Sequence, residues 1–377
     1  MIATTSLWEQ ESFFAPSDVI IVGSGLLGLW TSLEIKLRKP STLITIIDRG
    51  VIPLGASTRN AGFACFGSPG EMISDAKTMG EEQMWQLVEM RYRGIQKIRK
   101  YFGDTEIGFD AIGGYECFNA TSIELEEIKD RLSWINSEME VFTGVSNTFN
   151  WCSNKMNGFG LPGIDAMIEN QLEGGIHSGK LVLGLIKKLQ ALGVTILQGI
   201  DVLGWTKGNS SIEVQASTVS LQTQQLIICT NGMLSAIAND LYIEPARGQV
   251  LVTSPINQLL LKGTFHFDEG YYYFRNVGNR VLIGGARNMD KEKETSNEFL
   301  LNDNIQQELE QFLKRHILQN VSYTITHRWS GIMGFTSNKL PLVKKLEEDV
   351  YAAICCNGMG VALSPIIAEE IFKVVFS

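Results

Sequence analysis

Gly23, Gly25 and Gly28 follow the short apolar run Val19 to Val22 in a G-x-G-x-x-G spacing, and Asp48 closes a second apolar run, Leu43 to Ile47. The first run is too short for a helix and suits a buried parallel strand, whereas Leu29 to Leu37 reads as a helix. In that setting each glycine has a physical role. Gly23 makes the tight turn, Gly25 lets a pyrophosphate approach the backbone, and Gly28 lets the helix pack closely on the strand. The helix N-terminus offers unpaired N–H groups and partial positive charge to a phosphate. An acid placed about 20 residues past the glycines is positioned to accept from ribose hydroxyls. The chemistry expected of this stretch is dinucleotide binding.

Other groups have suitable chemistry in less specific patterns. Gly55-Ala-Ser-Thr-Arg-Asn-Ala-Gly-Phe63 is a loop of small and polar residues, able to supply backbone donors without side-chain bulk, or simply to connect. His177, at the first turn of a helix expected to run to about Leu192, has the chemistry of a proton donor but equally suits a structural role. Leu226 to Cys229 is a buried strand ending in Thr230-Asn-Gly232. Val350 to Ile354 is another, turned by Asn357-Gly-Met-Gly360 into a last helix, Val361 to Val375. Strand alternation puts Tyr271, Tyr273 and Arg275 on one face and Tyr272 and Phe274 on the other. With Trp329, the first three are candidates for a small-molecule pocket built from residues 245–340, against the alternative of ordinary aromatic packing.

Positioning these groups requires strand-to-helix steps near both ends of the chain and a mixed or antiparallel sheet within. Met84, Leu87, Val88, Tyr92, Ile95 and Ile98 recur at helical spacing within Glu71 to Tyr101. Gly113-Gly114-Tyr115 turns between short strands, and Ser122 to Glu138 reads as a helix with Thr121 and Glu124 in capping-box spacing. Gly193 to Leu197 is a strand, and Val214 and Val219 sit on short ones. Arg247 to Thr253, Tyr271 to Arg275 and Arg280 to Gly284 are strands, the last two joined at Asn276-Val-Gly278. Asn297 to His316 is expected to be helical, and Val321 to Trp329 extended.

A length of 377 residues suggests two domains with room for full cores. The 41 acidic against 32 basic residues leave a net charge of −9, which argues against nonspecific nucleic-acid binding. Met1 to Gln10 lacks the pattern of a signal peptide, and no apolar run reaches the ~18 residues of a membrane span, so a cytoplasmic protein is expected. Cys65, Cys117, Cys152, Cys229, Cys355 and Cys356 show no C-x-x-C spacing and read as reduced, mostly buried thiols. No metal site is expected.

Taken in order, these motifs resemble the D-amino acid oxidase family of FAD-dependent oxidoreductases, which includes glycine oxidase, sarcosine oxidase and γ-glutamylputrescine oxidase. The likeness runs through Gly23–Gly28 with Asp48, Gly55–Gly62, Gly174–Leu181, Thr230–Gly232, Pro245–Gln249, Gly284–Arg287, Trp329–Gly331 to Pro341, and Gly358–Gly360. It implies an α/β fold of two domains: a Rossmann-like FAD-binding domain built from the discontinuous segments 1–75, 160–244 and 345–377, and a mixed or antiparallel-sheet substrate domain of 76–159 and 245–344. It also implies FAD contacts at Val22, Gly23, Gly25, Leu26, Leu27 and Gly28, with Asp48 and Arg49 toward the adenosine ribose and Val202 near adenine. Ser57, Thr58, Asn60 and Ala61 would lie near the flavin, and Thr230, Asn231, Gly232 and Gly331 are further cofactor-binding candidates, the first three on the far side of the dinucleotide crevice. Asn357, Gly358, Met359, Gly360 and Val361 would lie at its pyrimidine edge, where backbone donors could stabilise charge on the reduced ring.

The departures narrow the expectation. Met333 and Ala362 stand where amino-acid and sarcosine oxidases carry carboxylate-binding arginine and lysine, and Leu282 where a lysine assists reaction with oxygen. Gly331 replaces the cysteine that links flavin in sarcosine oxidases, so FAD is expected to be noncovalent. Trp329 to Pro341, with Thr336 and Lys339, is closer to the γ-glutamylputrescine oxidase branch. The leading expectation is oxidation of an amine or N-substituted amino acid at its C–N bond, by hydride transfer to flavin N5 and hydrolysis of the imine. The acceptor would be O2 or another oxidant, and any acid group would be remote from the oxidised carbon. Arg59, Tyr271, Tyr273, Arg275 and Trp329 are the candidate catalytic residues, and Arg247, Arg287 and Arg328 further candidates for an anion contact. The alternatives are a hydroxy-acid or alcohol oxidoreductase of the same fold, or a noncatalytic nucleotide-binding module.

Overall fold

The protein is described by a computed structural model covering residues 4–120, 122, 124–237, 243–354 and 357–377. Thr121, half of the expected capping box, and Cys355 and Cys356 lie outside the described residues. The chain forms two compact units, the first of Met1–Thr58, Ser178–Pro245 and Met333–Ser377, the second of Arg59–His177 and Ala246–Ile332.

At the centre of the first unit is the strand Ser17–Val22, paired in parallel with Ile44–Asp48 on one side and Ser220–Ile228 on the other. Thr195–Gln198 extends the sheet beyond Ile44–Asp48, while Val350–Ile354 joins in parallel beside Ser220–Ile228 and Leu342–Glu347 closes that edge antiparallel. Val202–Lys207 and Ile212–Ala216 form an antiparallel extension from Ser220–Ile228. Apolar residues occupy both faces of the central strand because helices cover them: Val19, Ile20, Ile21 and Val22 are all buried. The helix Leu26–Arg38 is buried over most of its circumference and packs against Gly360–Phe376 and Ser178–Ala191. A Cβ on Gly28 would lie 2.0 Å from the Gly23 carbonyl oxygen, and one on Gly23 would lie 2.7 Å from the Cys229 carbonyl oxygen. Gly23 also has φ +105°, a conformation that favours glycine.

An eight-stranded mixed sheet organises the second unit. Its order is Ile325–Phe335, Glu244–Thr253, Arg280–Gly285, Tyr272–Val277, Thr264–Phe267, Gly114–Phe118, Ala166–Asn170 and Phe149–Trp151. Thr264–Phe267 and Gly114–Phe118 run parallel, whereas Tyr272–Val277 is antiparallel to both of its neighbours. One face is closed by an apolar core in which Leu251, Phe274, Val281 and Ile283 meet Ile305, Leu309 and Phe312 of the helix Asp303–Phe312. The Phe312 ring stacks on Tyr272 at 4.5 Å between centroids.

Several boundaries differ from the sequence pattern. The helix expected over 71–101 is two helices, Pro69–Met79 and Glu81–Phe102, divided at Gly80 with φ +87°. The helix expected from Asn297 begins at Asp303, because the Asn302 side chain accepts from the Asn304 N–H as an N-cap, and it ends in the π turn Leu313–Ile317. Residues 59–75 and 160–177 fall in the second unit rather than the first, since Ala166–Asn170 pairs with Gly114–Phe118. Residues 333–344 fall in the first, where Leu342–Glu347 pairs with Val350–Ile354.

Gly28→Ala is expected to lower stability by more than the ~1 kcal/mol usual for a surface glycine, because the added methyl meets backbone that cannot yield. Urea unfolding checks this; a midpoint equal to wild type would show that the helix and strand can separate freely.

Candidate active site

In the first unit the glycine turn opens onto groups with unused hydrogen-bonding capacity. Asp48 Oδ2 accepts from the Ser24 N–H at 2.7 Å and the Ser24 hydroxyl at 2.8 Å, while Oδ1 accepts from the Gly50 N–H at 2.8 Å. This fixes the carboxylate at the end of its strand. A Cβ on Gly25 would meet only the Ser57 side chain, with its hydroxyl oxygen at 3.0 Å; the remaining space is open, unlike that at Gly28. Ser57 Oγ accepts from the Leu26 N–H at 2.8 Å and so satisfies the first turn of the helix. Leu26 and Leu27 themselves are buried.

Thr230 Oγ1 and Asn231 Oδ1 are buried without a partner among the described residues. Orphan polar atoms beside an open glycine turn are what a bound polar ligand would satisfy. At the same carboxyl edge of the sheet, since Val350–Ile354 runs parallel to Ser220–Ile228, Asn357 (φ +40°) and Gly358 (φ +89°) turn the chain into Gly360–Phe376. Asn357 Oδ1 accepts from the Thr336 N–H at 2.9 Å, and the Asn357 N–H donates to Gly334 O at 3.3 Å, so this turn is pinned to the segment leading from Met333. Met333 Sδ lies 3.9 Å from the position of a Gly358 Cβ. The open turn at Gly25, the fixed Asp48 carboxylate and the orphan Thr230 and Asn231 oxygens suit the polar groups of a dinucleotide such as FAD. Val22, Gly23, Gly28, Arg49, Thr58, Gly232, Met359, Gly360 and Val361 lie in the same unit, as does Val202, whose side chain is buried among Ile212 and Val214.

Asn60, Ala61 and Gly331 belong to the second unit. On the face of its sheet opposite the apolar core, Val250, Val252 and Leu282 form an apolar patch against which Ala61 and Trp329 pack. Tyr273 and His266 are register partners on neighbouring strands, and Phe63 lies edge-on to both, at 5.9 and 5.1 Å between centroids. Neither the Tyr273 hydroxyl nor the His266 imidazole has a hydrogen bond among the described residues. Burial pushes the Tyr273 phenol up to about 12 and the His266 imidazole down to about 4, so both are neutral near pH 7. His266 and Phe63 escape a sequence reading because nothing marks them before the sheet register is known.

The other candidates separate. Tyr271 is 46% exposed in the turn before the strand begins at Tyr272, so alternation does not place it beside Tyr273. Arg275 is buried, and its guanidinium donates to the carbonyls of Gly62, Ile176 (3.1 Å) and Asn276 (3.1 Å). It fills the space beside Gly62 and Gly175, where Cβ atoms would collide with it, and burial lowers its pKa to about 10. Arg275 therefore ties the Gly62 and Ile176 segments to the sheet. Arg247 is held by Glu294, and Arg328 donates to Gln306 and Glu310. Arg59 Nη1 donates to Ser330 O at 3.0 Å, and Trp329 Nε1 donates to Arg59 O at 2.8 Å. His177 is exposed immediately before the helix Ser178–Ala191, its N–H donating to Ile107 O.

Two buried carboxyls shape the loop that follows Phe63. Glu173 accepts from the Phe66 N–H at 2.7 Å and the Gly67 N–H at 3.3 Å; Glu116 accepts from the Ser68 hydroxyl and the Gly70 N–H at the start of Pro69–Met79. Burial pushes Glu173 up to about 8, with Glu71 adding to the rise and Arg91 opposing it. Cys65, Cys117, Cys152 and Cys229 are free and buried. Among the described residues no cluster suited to a metal ion occurs, and no helix is long and apolar enough to cross a membrane.

A family model described as DAO, FAD dependent oxidoreductase, matches residues 18–373. A probable oxidoreductase OrdL of Haemophilus influenzae is 25% identical, over 94% of this chain and 83% of its own length. Among solved structures, L-proline dehydrogenase from P. horikoshii superposes with TM-score 0.75 at 17% identity, covering 96% of this chain and 93% of that one. Glycine oxidase from Geobacillus kaustophilus gives TM-score 0.75 at 16% identity, covering 96% and 94%.

Because the Glu173 carboxyl holds its proton in the folded chain at pH values where the unfolded chain has lost it, its contribution to stability is full below about 4.5 and declines as pH rises through about 8. Glu173→Gln keeps an acceptor for Phe66 and Gly67 and removes the titration. Its thermal midpoint is expected to fall less than that of wild type between about pH 5 and pH 8; parallel profiles would mean that Glu173 does not carry this dependence.

Proposed function

The chain belongs to the DAO family of FAD-dependent oxidoreductases, and on that premise we propose that it oxidises the carbon–nitrogen bond of a primary or secondary amine, or of an N-substituted amino acid. The observation that carries this reading is the Tyr273–His266 pair: two neutral polar groups without hydrogen-bond partners among the described residues, on the sheet face that holds Val250, Val252, Leu282 and Trp329. A face of that kind accepts a small molecule with a neutral hydrogen-bonding nitrogen and an apolar body. The names of two structural neighbours, a glycine oxidase and an L-proline dehydrogenase, are compatible with an amine-bearing substrate.

FAD would be held noncovalently by the backbone of Gly23 to Gly28, by Asp48, by the orphan Thr230 and Asn231 oxygens, and by the Asn357–Gly360 turn. When bound, it supplies the electron sink that takes a hydride from the carbon bearing nitrogen. The chain's own contribution is orientation and exclusion of water. Tyr273, with its phenol pushed up to about 12, remains a hydrogen-bond donor or acceptor for the substrate. His266, held near 4 by burial, is too weak a base at neutral pH to take the ammonium proton, so the amine must arrive neutral. The apolar patch favours that neutral form. Trp329 closes the patch and fixes the Arg59 backbone. Thr336 and Lys339 on the segment after Trp329 are the basis for placing the chain nearest the γ-glutamylputrescine oxidase branch.

The reductive rate constant per substrate concentration is expected to rise with pH through the pKa of the substrate amine, and to show no inflection near 6.5. His266→Gln should leave that pH profile in place, while Tyr273→Phe should lower the rate by roughly 10-fold or more, the value of a hydrogen bond realised in a desolvated site. Rapid anaerobic mixing measures both, and an inflection near 6.5 that disappears in His266→Gln would overturn the assignment. For the cofactor, Gly25→Val should fold with near-native far-UV dichroism yet carry little FAD, because its side chain occupies open space meant for ligand. Yellow Gly25→Val protein with full flavin content would remove Gly25 from the FAD site.

A further inference from the structure

The segment between Glu294 and Asn302 is anchored at both ends yet carries exposed apolar side chains at its tip. Glu294 is fully buried and pairs with Arg247 at 2.8 Å, and Arg247 also donates to the carbonyls of Lys293 and Glu298. At the other end, the Asn302 N–H donates to Gln249 Oε1 at 3.1 Å and its side-chain amide to Glu294 at 2.9 Å. Between these anchors Phe299, Leu300 and Leu301 are 36%, 57% and 45% exposed. The Phe299 ring lies 4.9 Å from the Arg59 guanidinium, within range of a cation–π contact.

Among the five candidate arginines, Arg59 has capacity for an external anion. Arg247, Arg275 and Arg328 have their guanidinium groups committed to Glu294, to carbonyls, and to Gln306 and Glu310. Arg287 reaches Thr295. Arg59 makes a single hydrogen bond, to Ser330 O, among the described residues, and Phe299 covers one face of its plane.

We propose that Phe299 is a positioning residue that holds Arg59 as the contact for a substrate carboxylate, and that Phe299, Leu300 and Leu301 form the shelf for the apolar chain joining that carboxylate to the amine. This rests on the reading of the protein as an amine oxidoreductase, and it narrows the substrate class to amines carrying an acid group remote from the oxidised carbon. The anchored ends make the shelf rigid, so the arrangement costs little ordering when the acid binds.

Calorimetric titration of the FAD-loaded protein with acetate and with hexanoate tests it. Wild type should bind hexanoate more tightly than acetate. Phe299→Leu, which keeps an apolar side chain but loses the ring, should weaken hexanoate binding roughly 3- to 10-fold, as expected for a cation–π contact, with FAD content unchanged. Phe299→Trp should restore it, and Arg59→Met should abolish discrimination between wild type and Phe299→Leu backgrounds. Unchanged hexanoate affinity in Phe299→Leu overturns the role of Phe299. Absence of carboxylate binding to wild type overturns the whole inference; the amine reading then stands or falls separately, on whether amines reduce the flavin.

Discussion

The first unit depends on one close approach: the helix Leu26–Arg38 touches its preceding strand backbone to backbone at Gly28 and Gly23, with no room for a single Cβ. That contact fixes where the helix N-terminus points and therefore where its free N–H groups are offered. Asp48, held by Ser24 and Gly50, lies at the end of the adjacent strand because Ile44–Asp48 and Ser17–Val22 run parallel in register. The orphan atoms of Thr230 and Asn231 lie at the end of the strand on the other side. A ligand-binding edge thus follows from parallel pairing and one steric exclusion.

In the second unit, buried ionisable groups organise loops rather than chemistry. Arg275, Arg247, Glu173 and Glu116 are each buried and spend their hydrogen bonds on backbone, on Glu294 or on Ser68. Buried polar groups of this kind are costly to strand without partners, and each ties a loop segment firmly in place. Tyr273 and His266, on the same sheet, are neutral and have no hydrogen bond among the described residues, and it is this contrast that separates scaffold from candidate chemistry.

Much of this was legible in the sequence. The glycine spacing, the paired strands and the place of Asp48 at a strand end were legible because they depend on local backbone geometry, which local sequence encodes. Alternation correctly separates Tyr272 and Phe274, which enter the core, from Tyr273 and Arg275. Three things were not legible. Nothing in the sequence shows that Arg275 meets the carbonyls of Gly62 and Ile176, which are distant from it along the chain. His266 becomes Tyr273's neighbour only through the strand register. The helical pattern from Asn297 conceals a loop, because Asn302 caps the true helix and Glu294 is drawn inward by Arg247, leaving Phe299 beside Arg59.

The central claim, that the Tyr273–His266 face receives a neutral amine for oxidation by FAD, is tested most directly by mixing the yellow holoprotein anaerobically with matched amines and hydroxy acids and recording flavin absorbance. The account predicts bleaching by amines, faster at higher pH, and no bleaching by the hydroxy acids. Bleaching by hydroxy acids alone would contradict it.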